Sequence, residues 1–589
     1  MLTLLRPALT LLRPASRAAA RQTRHHVARS RQSSSSSSPP SAGATALSFL
    51  GRCAKITAGV SLFSAAGVLG YARADEGRWR SARVLWLITK INVDLHVTDA
   101  KHADASEEER ARRHSEINQK WAPEVLALTL DLGGYILKLA QTVVGTNYLP
   151  DEYSEALEPL LDSVPAKSFT VVRDIVEAEL GRPLDDVFAT FDPKPLGAAS
   201  IGQVHLATLR GSGKEVVVKV QYPEVKRFFD LDFRTMKVLM ASMGSSNKKD
   251  IEDMMDGLSK TMQSEFDYRK EAAFLRAAAE TCTPVFPGRI YVPLPIDASH
   301  ADAVSGVSLC TEKILTMERV AGEPIRKHLK KMTADWAAKQ GKSLREVKEE
   351  MKDLYEKDPE KLKEALSATG ASETAMSIYI AGTRAMNWLF DTNLTVPLNG
   401  PRILQLLADV HAHQVFFGDF FNSDPHAGNI LQMDDGRLGL IDYGACDTLT
   451  HHQREAFAKL LIALADEDDD ATITAFQEFG FRTKKSNRTY LLAYANMCYH
   501  RGLHPDDMAR VGVDPDVPPM QVEIWLDKLD SAQKFEGHMA TTQRCVWVLL
   551  GLARDIGAGS VSIARMWRPF AVEYLKSRGN KAKGKVKSY

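Results

Sequence analysis

The chain has 589 residues, of which 25% are charged and 44% apolar, with a net charge of +1; this is an ordinary globular composition with room for two to four domain-sized units. Near-neutral charge gives no electrostatic footprint for nucleic acid. The six cysteines (Cys53, Cys282, Cys310, Cys446, Cys498, Cys545) lack CxxC spacing, so neither a disulfide framework nor a zinc site is indicated.

The N-terminus departs from this average. Residues 1–74 contain no Asp or Glu, and arginines recur at Arg6, Arg13, Arg17, Arg21, Arg24, Arg29 and Arg31 among Leu, Ala and Ser. A cationic amphipathic segment of this kind responds to an inside-negative potential, which predicts a mitochondrial targeting segment over 1–44, ending in a Ser/Pro linker, with a disordered basic arm as the alternative. Residues 56–72 are uncharged and flanked by Arg52, Lys55 and Arg73. They stand at the short limit for a membrane span, within a membrane-proximal region 45–78. A surface helix or a second part of the import signal are the alternatives. The more basic N-terminal flank points to the matrix, which puts the catalytic body in the intermembrane space beside the inner membrane.

From Trp79 the apolar spacing is helical, through Val84, Leu85, Leu87 and Ile88 and again from Val125 to Leu139, predicting a helical N-terminal extension over 79–190. Period two then takes over. Val204–Leu209 and Glu215–Val220 read as paired strands around the turn Gly211-Ser-Gly-Lys214, and Lys313–Met317 as a further strand leading into Glu318-Arg-Val-Ala-Gly322. Residues 191–325 thus form a small β-containing lobe. His328–Leu366 is rich in Lys and Glu and predicts a solvated helical hairpin inserted in a second lobe, 326–575. That lobe reads as all-helical from Ile378 onward around one acidic loop, and residues 576–589 form a basic tail. No Walker A element is present, because neither Gly213-Lys214 nor Gly341-Lys342 has the required earlier glycine.

The acidic loop is the most informative stretch. Asn422-Ser-Asp-Pro-His-Ala-Gly-Asn429 sets Asp424 and Asn429 five positions apart, and Asp442 follows in Leu440-Ile-Asp-Tyr-Gly-Ala445. Asp435-Gly436 is a tight-turn signal that makes the intervening residues a hairpin ending at Asp442. Kinase-type folds use this spacing to place an attacking group and hold Mg²⁺ against ATP phosphates, and hard oxygen donors suit that ion. Upstream, Pro195-Leu-Gly-Ala-Ala-Ser-Ile-Gly-Gln-Val-His205 offers small residues that let backbone approach phosphates. Lys219 can reach the α/β-phosphates, and Glu271, in Glu265-Phe-Asp-Tyr-Arg-Lys-Glu271, can pair with it.

In this order the pieces resemble the UbiB/aarF-domain (ADCK-like) family of atypical kinases, from about Leu130 to Thr448, and its mitochondrial branch in particular. The resemblance implies an α+β, atypical protein-kinase-like two-lobe fold with a helical N-terminal extension. It assigns nucleotide contacts to Gly197, Ala198, Ala199, Ser200, Lys219, Glu318 and Val320, and metal ligation to Asn429 and Asp442. Asp424, Lys219 and Glu271 become the catalytic set. Lys138-Leu-Ala-Gln141 and Glu265-Phe-Asp267 match the family's lid elements, which crowd the place where a protein kinase admits a peptide. Gly197 stands where alanine is common, Asn422 where His is usual, Ala427 where Pro is frequent, and Tyr443 for the Phe of Asp-Phe-Gly; none removes a charged catalytic group. The family implies ATP and Mg²⁺ as cofactors, ATPase or small-molecule phosphotransferase chemistry, quinone or lipid as partner, and coenzyme Q or mitochondrial lipid homeostasis as the role. A nucleotide-binding pseudokinase scaffold is the alternative, and a protein Ser/Thr kinase a lesser one.

Other polar clusters read as structural. His411-Ala-His413 points to different helix faces, and Asp466–Asp470 lacks the spaced ligands and Gly of an EF-hand loop, so it reads as a solvated helix junction. His426 is expected to organise the loop backbone rather than transfer protons. Met236, Met240, Met254 and Met255 read as core fillers on helices.

Overall fold

A computed structural model describes residues 75–144, 149–161, 164–242, 265–303, 308–342, 346, 399–514, 517, 522–556 and 561–583. The expected targeting segment, the 56–72 stretch, Met254, Met255, the far arm of the charged hairpin and the end of the basic tail lie outside the described residues. No helix among the described residues is long and apolar enough to cross a membrane.

Two compact units are formed. The first combines Met1–Pro165 with Glu224–Ile251. Its long helices, Glu76–Lys101 and Glu107–Leu132, start at Asp75 and Ser106, whose side chains accept from the amides of Arg78 and Glu109; each cap satisfies a donor that the first turn leaves open. The second helix stops at Gly133 and Gly134, with φ of 58° and 53°, a conformation that costs glycine little. The helix Gly134–Val144 follows. Leu87, Ile91, Leu95, Trp121 and Tyr153 form one core of this unit. Arg80 is buried and forks onto Asp232 of the helix Val225–Ser242, with both bonds at 2.6 Å, and donates to the Leu132 carbonyl at 2.7 Å.

The second unit combines Ala166–Pro223 with Glu252–Tyr589. Its first sheet has the order β1 (Phe188–Phe191), β3 (Gly202–Leu209), β4 (Glu215–Gln221) and β6 (Ile314–Glu318), with β2 (Gly197–Ala198) also on β3. All of these neighbours are antiparallel. Period two turns Val216, Val218 and Val220 of β4 into a core with Val172 and Val176 of the helix Phe169–Leu180, and it sends Lys219 to the opposite face. A second sheet has the order β5 (Ile290–Tyr291), β10 (Leu438–Leu440), β9 (Ile430–Met433), β7 (Gly322–Pro324). The expected hairpin is its centre, and Gly436 turns it with φ of 93°. The short strand β8 (Phe421–Asn422) pairs with β11 (Cys446–Asp447), closing the acidic loop at its base.

The observed boundaries differ from the expected ones in three places. The helix Phe169–Leu180, assigned above to the extension, packs on the first sheet because its apolar face covers that sheet. The helix Val225–Ser242, assigned above to the small lobe, groups with the N-terminal helices through the buried Arg80–Asp232 pair. The second lobe is not all-helical: it carries β9 and β10, whose outer edges are covered by β7 and β5 from earlier in the chain. That pairing satisfies backbone groups that an isolated hairpin would leave open. The large core of this unit gathers Leu407, Phe416, Phe457, Phe476, Tyr499 and Trp567. Met236 and Met240 lie on the helix Val225–Ser242.

Candidate nucleotide site

Lys219, Glu271 and Asp442 converge within the second unit. Lys219 Nζ donates to Glu271 Oε1 at 2.8 Å and Oε2 at 2.9 Å, and to Asp442 Oδ2 at 3.3 Å. The Tyr268 ring lies 5.0 Å from the ammonium, a distance at which its negative face attracts a cation. Burial pushes the Glu271 carboxyl up to about 7, against the pull of Lys219, with Asp442 pushing in the same direction as burial. For Lys219 burial acts downward, but the Asp442 and Glu271 carboxylates outweigh it and hold the ammonium well above its ordinary value. The site therefore places an ammonium between two acidic side chains, a set of groups that suits a polyanion accompanied by a metal.

Local structure explains the placement of each group. Glu271 sits in the first turn of the helix Tyr268–Thr281, whose N-cap is Asp267, accepting from the Arg269 amide. Asp267, expected in the lid, also pairs with the Arg269 guanidinium at 2.8 Å. Glu265 is buried at 8% exposure. Lys138 and Gln141 belong to the helix Gly134–Val144 of the first unit, where Gln141 Nε2 donates to the Leu160 carbonyl at 2.8 Å.

Asp424 and Asn429 are held by their own loop. The His426 amide donates to the Asp424 carbonyl, the Asn429 amide to the His426 carbonyl, and the Gly428 amide to His426 Nδ1. His426 thus organises backbone, as expected. The Ile441 amide donates to the Asn429 carbonyl at 3.2 Å, tying the loop to the segment that bears Asp442. Asn422 contributes a second tie: its Oδ1 accepts from the Asp424 amide at 2.9 Å and its Nδ2 donates to the Asp442 carbonyl at 2.8 Å. Tyr443 is buried with its hydroxyl accepting from Gln414 Nε2, so the hydroxyl that replaces a Phe edge is satisfied. Cys446 lies nearby, but burial, reinforced by Asp442 and Glu271, pushes its thiol well up and keeps it protonated.

The small-residue loop is a tight turn on the sheet. Ala199 donates its amide to the Gly202 carbonyl at 2.8 Å, and Gly197 and Ala198 pair with β3. Gly197 is exposed, whereas Ser200 is buried at 7% exposure. The Glu318 carboxylate accepts from Lys214 Nζ, the Tyr291 hydroxyl and the Leu294 amide. Its carboxylate is therefore engaged in fixing the end of β6. Val320 lies against Gly439 of β10, so closely that a Cβ on Gly439 would meet it at 2.6 Å.

One residue in contact with the acidic loop gives no sequence signal. Arg544, on the helix Gly537–Asp555, donates Nη2 to Asp424 Oδ2 at 2.6 Å. It is a lone arginine 120 positions downstream, and no local pattern links it to the loop.

Asp442 and Asn429 supply oxygen donors from adjoining segments, and among the described residues no cluster of three or more His, Cys, Asp or Glu could hold a metal by itself. That donor set fits Mg²⁺, which completes its shell with water and substrate phosphates.

The ABC1 atypical kinase-like domain matches residues 159–358 and 379–476. Similar proteins include an uncharacterized protein of Synechocystis, 27% identical over 59% of this chain and 70% of its own length. A probable protein kinase UbiB of Shewanella woodyi is 31% identical over 60% of this chain and 52% of its own length. AarF domain-containing protein kinase 1 of Mus musculus is 30% identical over 42% of this chain and 45% of its own length. The match thus spans only about half of the last two relatives. A Mycobacterium tuberculosis protein solved with erythromycin aligns over 74% of this chain and 95% of its own at 20% identity, with a TM-score of 0.38. The order of motifs, the two-sheet arrangement and the family match together place the chain in the ABC1/UbiB family of atypical kinase-like proteins.

Proposed function

We propose that this protein binds ATP with Mg²⁺ and catalyses ATP hydrolysis or phosphoryl transfer to a small molecule. The observation that carries the reading is the Lys219 ammonium held between Glu271 and Asp442, the charge pattern that kinase-type sites use on nucleotide phosphates. Lys219 clamps phosphate oxygens while Glu271 fixes its direction. Asp442 and Asn429 hold Mg²⁺, which neutralises charge on the phosphates when bound. Asp424 orients the attacking water or hydroxyl and accepts its proton. Ala198 and Ala199 keep the turn after β2 low, so that a nucleotide can lie over it.

The acceptor we favour is a small, greasy molecule such as a quinone or lipid, in a mitochondrial setting at the inner membrane. Support comes from the acid-free, arginine-rich first 74 residues and the uncharged 56–72 stretch. Coenzyme Q or mitochondrial lipid homeostasis is the corresponding role.

The test is Mg²⁺-dependent ATP turnover by the full chain, with and without vesicles containing quinone or cardiolipin. Asp442→Asn is expected to lower turnover at least about a hundredfold, the scale of removing one electrostatic stabiliser. Tight nucleotide binding with no turnover under any condition would instead establish a scaffold, and transfer to peptides a protein kinase.

A further inference from the structure

The Asp424–Asn429 loop contains no lysine or arginine, and its His426 is committed to the Gly428 amide. Lys219 is engaged with Glu271 and Asp442. With Lys219 assigned to the α/β-phosphates and Mg²⁺ to Asp442 and Asn429, a terminal phosphoryl group approaching Asp424 would still meet a carboxylate that repels it, and a cation beside Asp424 would offset that repulsion. Arg544 supplies one. Its Nη2 contacts Asp424 Oδ2 at 2.6 Å, and the two side chains are 26% and 19% exposed.

We propose that the Arg544 guanidinium binds the terminal phosphoryl group of a nucleoside triphosphate, and so lets this site distinguish a triphosphate from a diphosphate. The proposal rests on the nucleotide reading above. Three observations carry it. The guanidinium has five donors in a planar fork that matches phosphate oxygens, and its bond to Asp424 uses one. Thr541, one turn earlier on the same helix, donates Oγ1 to Asp447 Oδ2 at 2.6 Å; the helix is thereby anchored to the segment following Asp442, and the fork is held in place. The charge is also secure: burial acts downward on Arg544, but Asp424 and Glu265 outweigh it.

In the transfer step the attacking oxygen bonds to the terminal phosphorus as the bridging O–P bond breaks. The bonding pair leaves on the diphosphate, and the attacker's proton passes to Asp424. Arg544 stabilises the non-bridging oxygens, on which charge is spread in such transition states.

Calorimetry with the full chain and Mg²⁺ tests this, using ADP and a non-hydrolysable ATP analogue. Arg544→Gln is expected to weaken the triphosphate analogue about tenfold, the size of one charge-assisted bond, while ADP affinity stays within about twofold of wild type. Arg544→Lys, which keeps the cation but loses the fork, is expected to lose part of the preference; it decides the matter if Arg544→Gln does not fold. Equal loss for both nucleotides, or an unchanged ratio in a folded variant, would overturn the proposal and leave the nucleotide reading intact. A wild-type chain that binds neither nucleotide would sink both.

Discussion

Asn422 is hydrogen-bonded to the carbonyl of Asp442 at 2.8 Å, across 20 residues of chain, while its other side-chain atom accepts from the amide of Asp424 at 2.9 Å. One amide side chain thus sets the spacing between the two acidic segments of the site. It does so at 7% exposure.

Asn422→Leu leaves the Asp424 amide and the Asp442 carbonyl without this partner. The expected cost is about 0.5–1.5 kcal/mol for each hydrogen bond lost. Urea unfolding measures it, and nucleotide affinity is expected to fall with it. A variant as stable as wild type would show that the two segments hold their spacing without this tie.

Two glycines of the small-residue turn respond oppositely to the same change. A Cβ at Gly197 meets nothing within 4 Å, whereas one at Gly202 meets the Val220 carbonyl oxygen at 2.4 Å. Gly197→Ala is expected to be neutral or to stabilise by about 0.4–1 kcal/mol through the unfolded chain. Gly202→Ala must part β3 from β4 and is expected to cost about 1–3 kcal/mol. Urea midpoints of the two variants, compared with wild type, check the pair. Equal midpoints would contradict the packing of this turn.

Acid is expected to destabilise the second unit through two buried histidines. Burial drives His411 down to about 4, against its bond to the Leu407 carbonyl; it does the same to His500, against the pull of Asp507, with Arg501 and Arg565 adding to the fall and Glu467 opposing it. A depressed folded-state value means the stabilisation is present above the unfolded value of about 6.5 and is lost as pH falls toward 4. By pH 5 the loss is on the order of 2 kcal/mol for each histidine. His411→Leu removes one titrating group, so the drop in unfolding free energy between pH 7 and pH 5 is expected to shrink by about that amount. An undiminished drop would show that His411 does not titrate in this window.

Much of the site is legible in the order of residues along the chain. Alternation along Glu215–Val220 puts Lys219 opposite the valines, Asp435-Gly436 announces the hairpin that ends at Asp442, and the spacing of Asp424, Asn429 and Asp442 marks the loop. Each of these signals is local, because side-chain period and turn chemistry are written in adjacent residues. The role of Glu318 escapes such reading for the complementary reason. Its partners Lys214, Tyr291 and Leu294 come from separate strands and loops, and no spacing reveals that its carboxylate is already engaged.

The sequence by itself therefore determined the family, the strands β3, β4 and β6, the hairpin turn at Asp435-Gly436, and Lys219, Glu271 and Asp442 as residues that the fold brings together. Tertiary structure alone decided that Arg544 faces Asp424, that Asn422 ties Asp424 to Asp442, and that the helix Val225–Ser242 joins the N-terminal helices rather than the sheet that precedes it. Buried ion pairs and side-chain bridges between distant segments depend on how whole elements pack, and packing is a property of surfaces brought together, with no period in the chain to announce it.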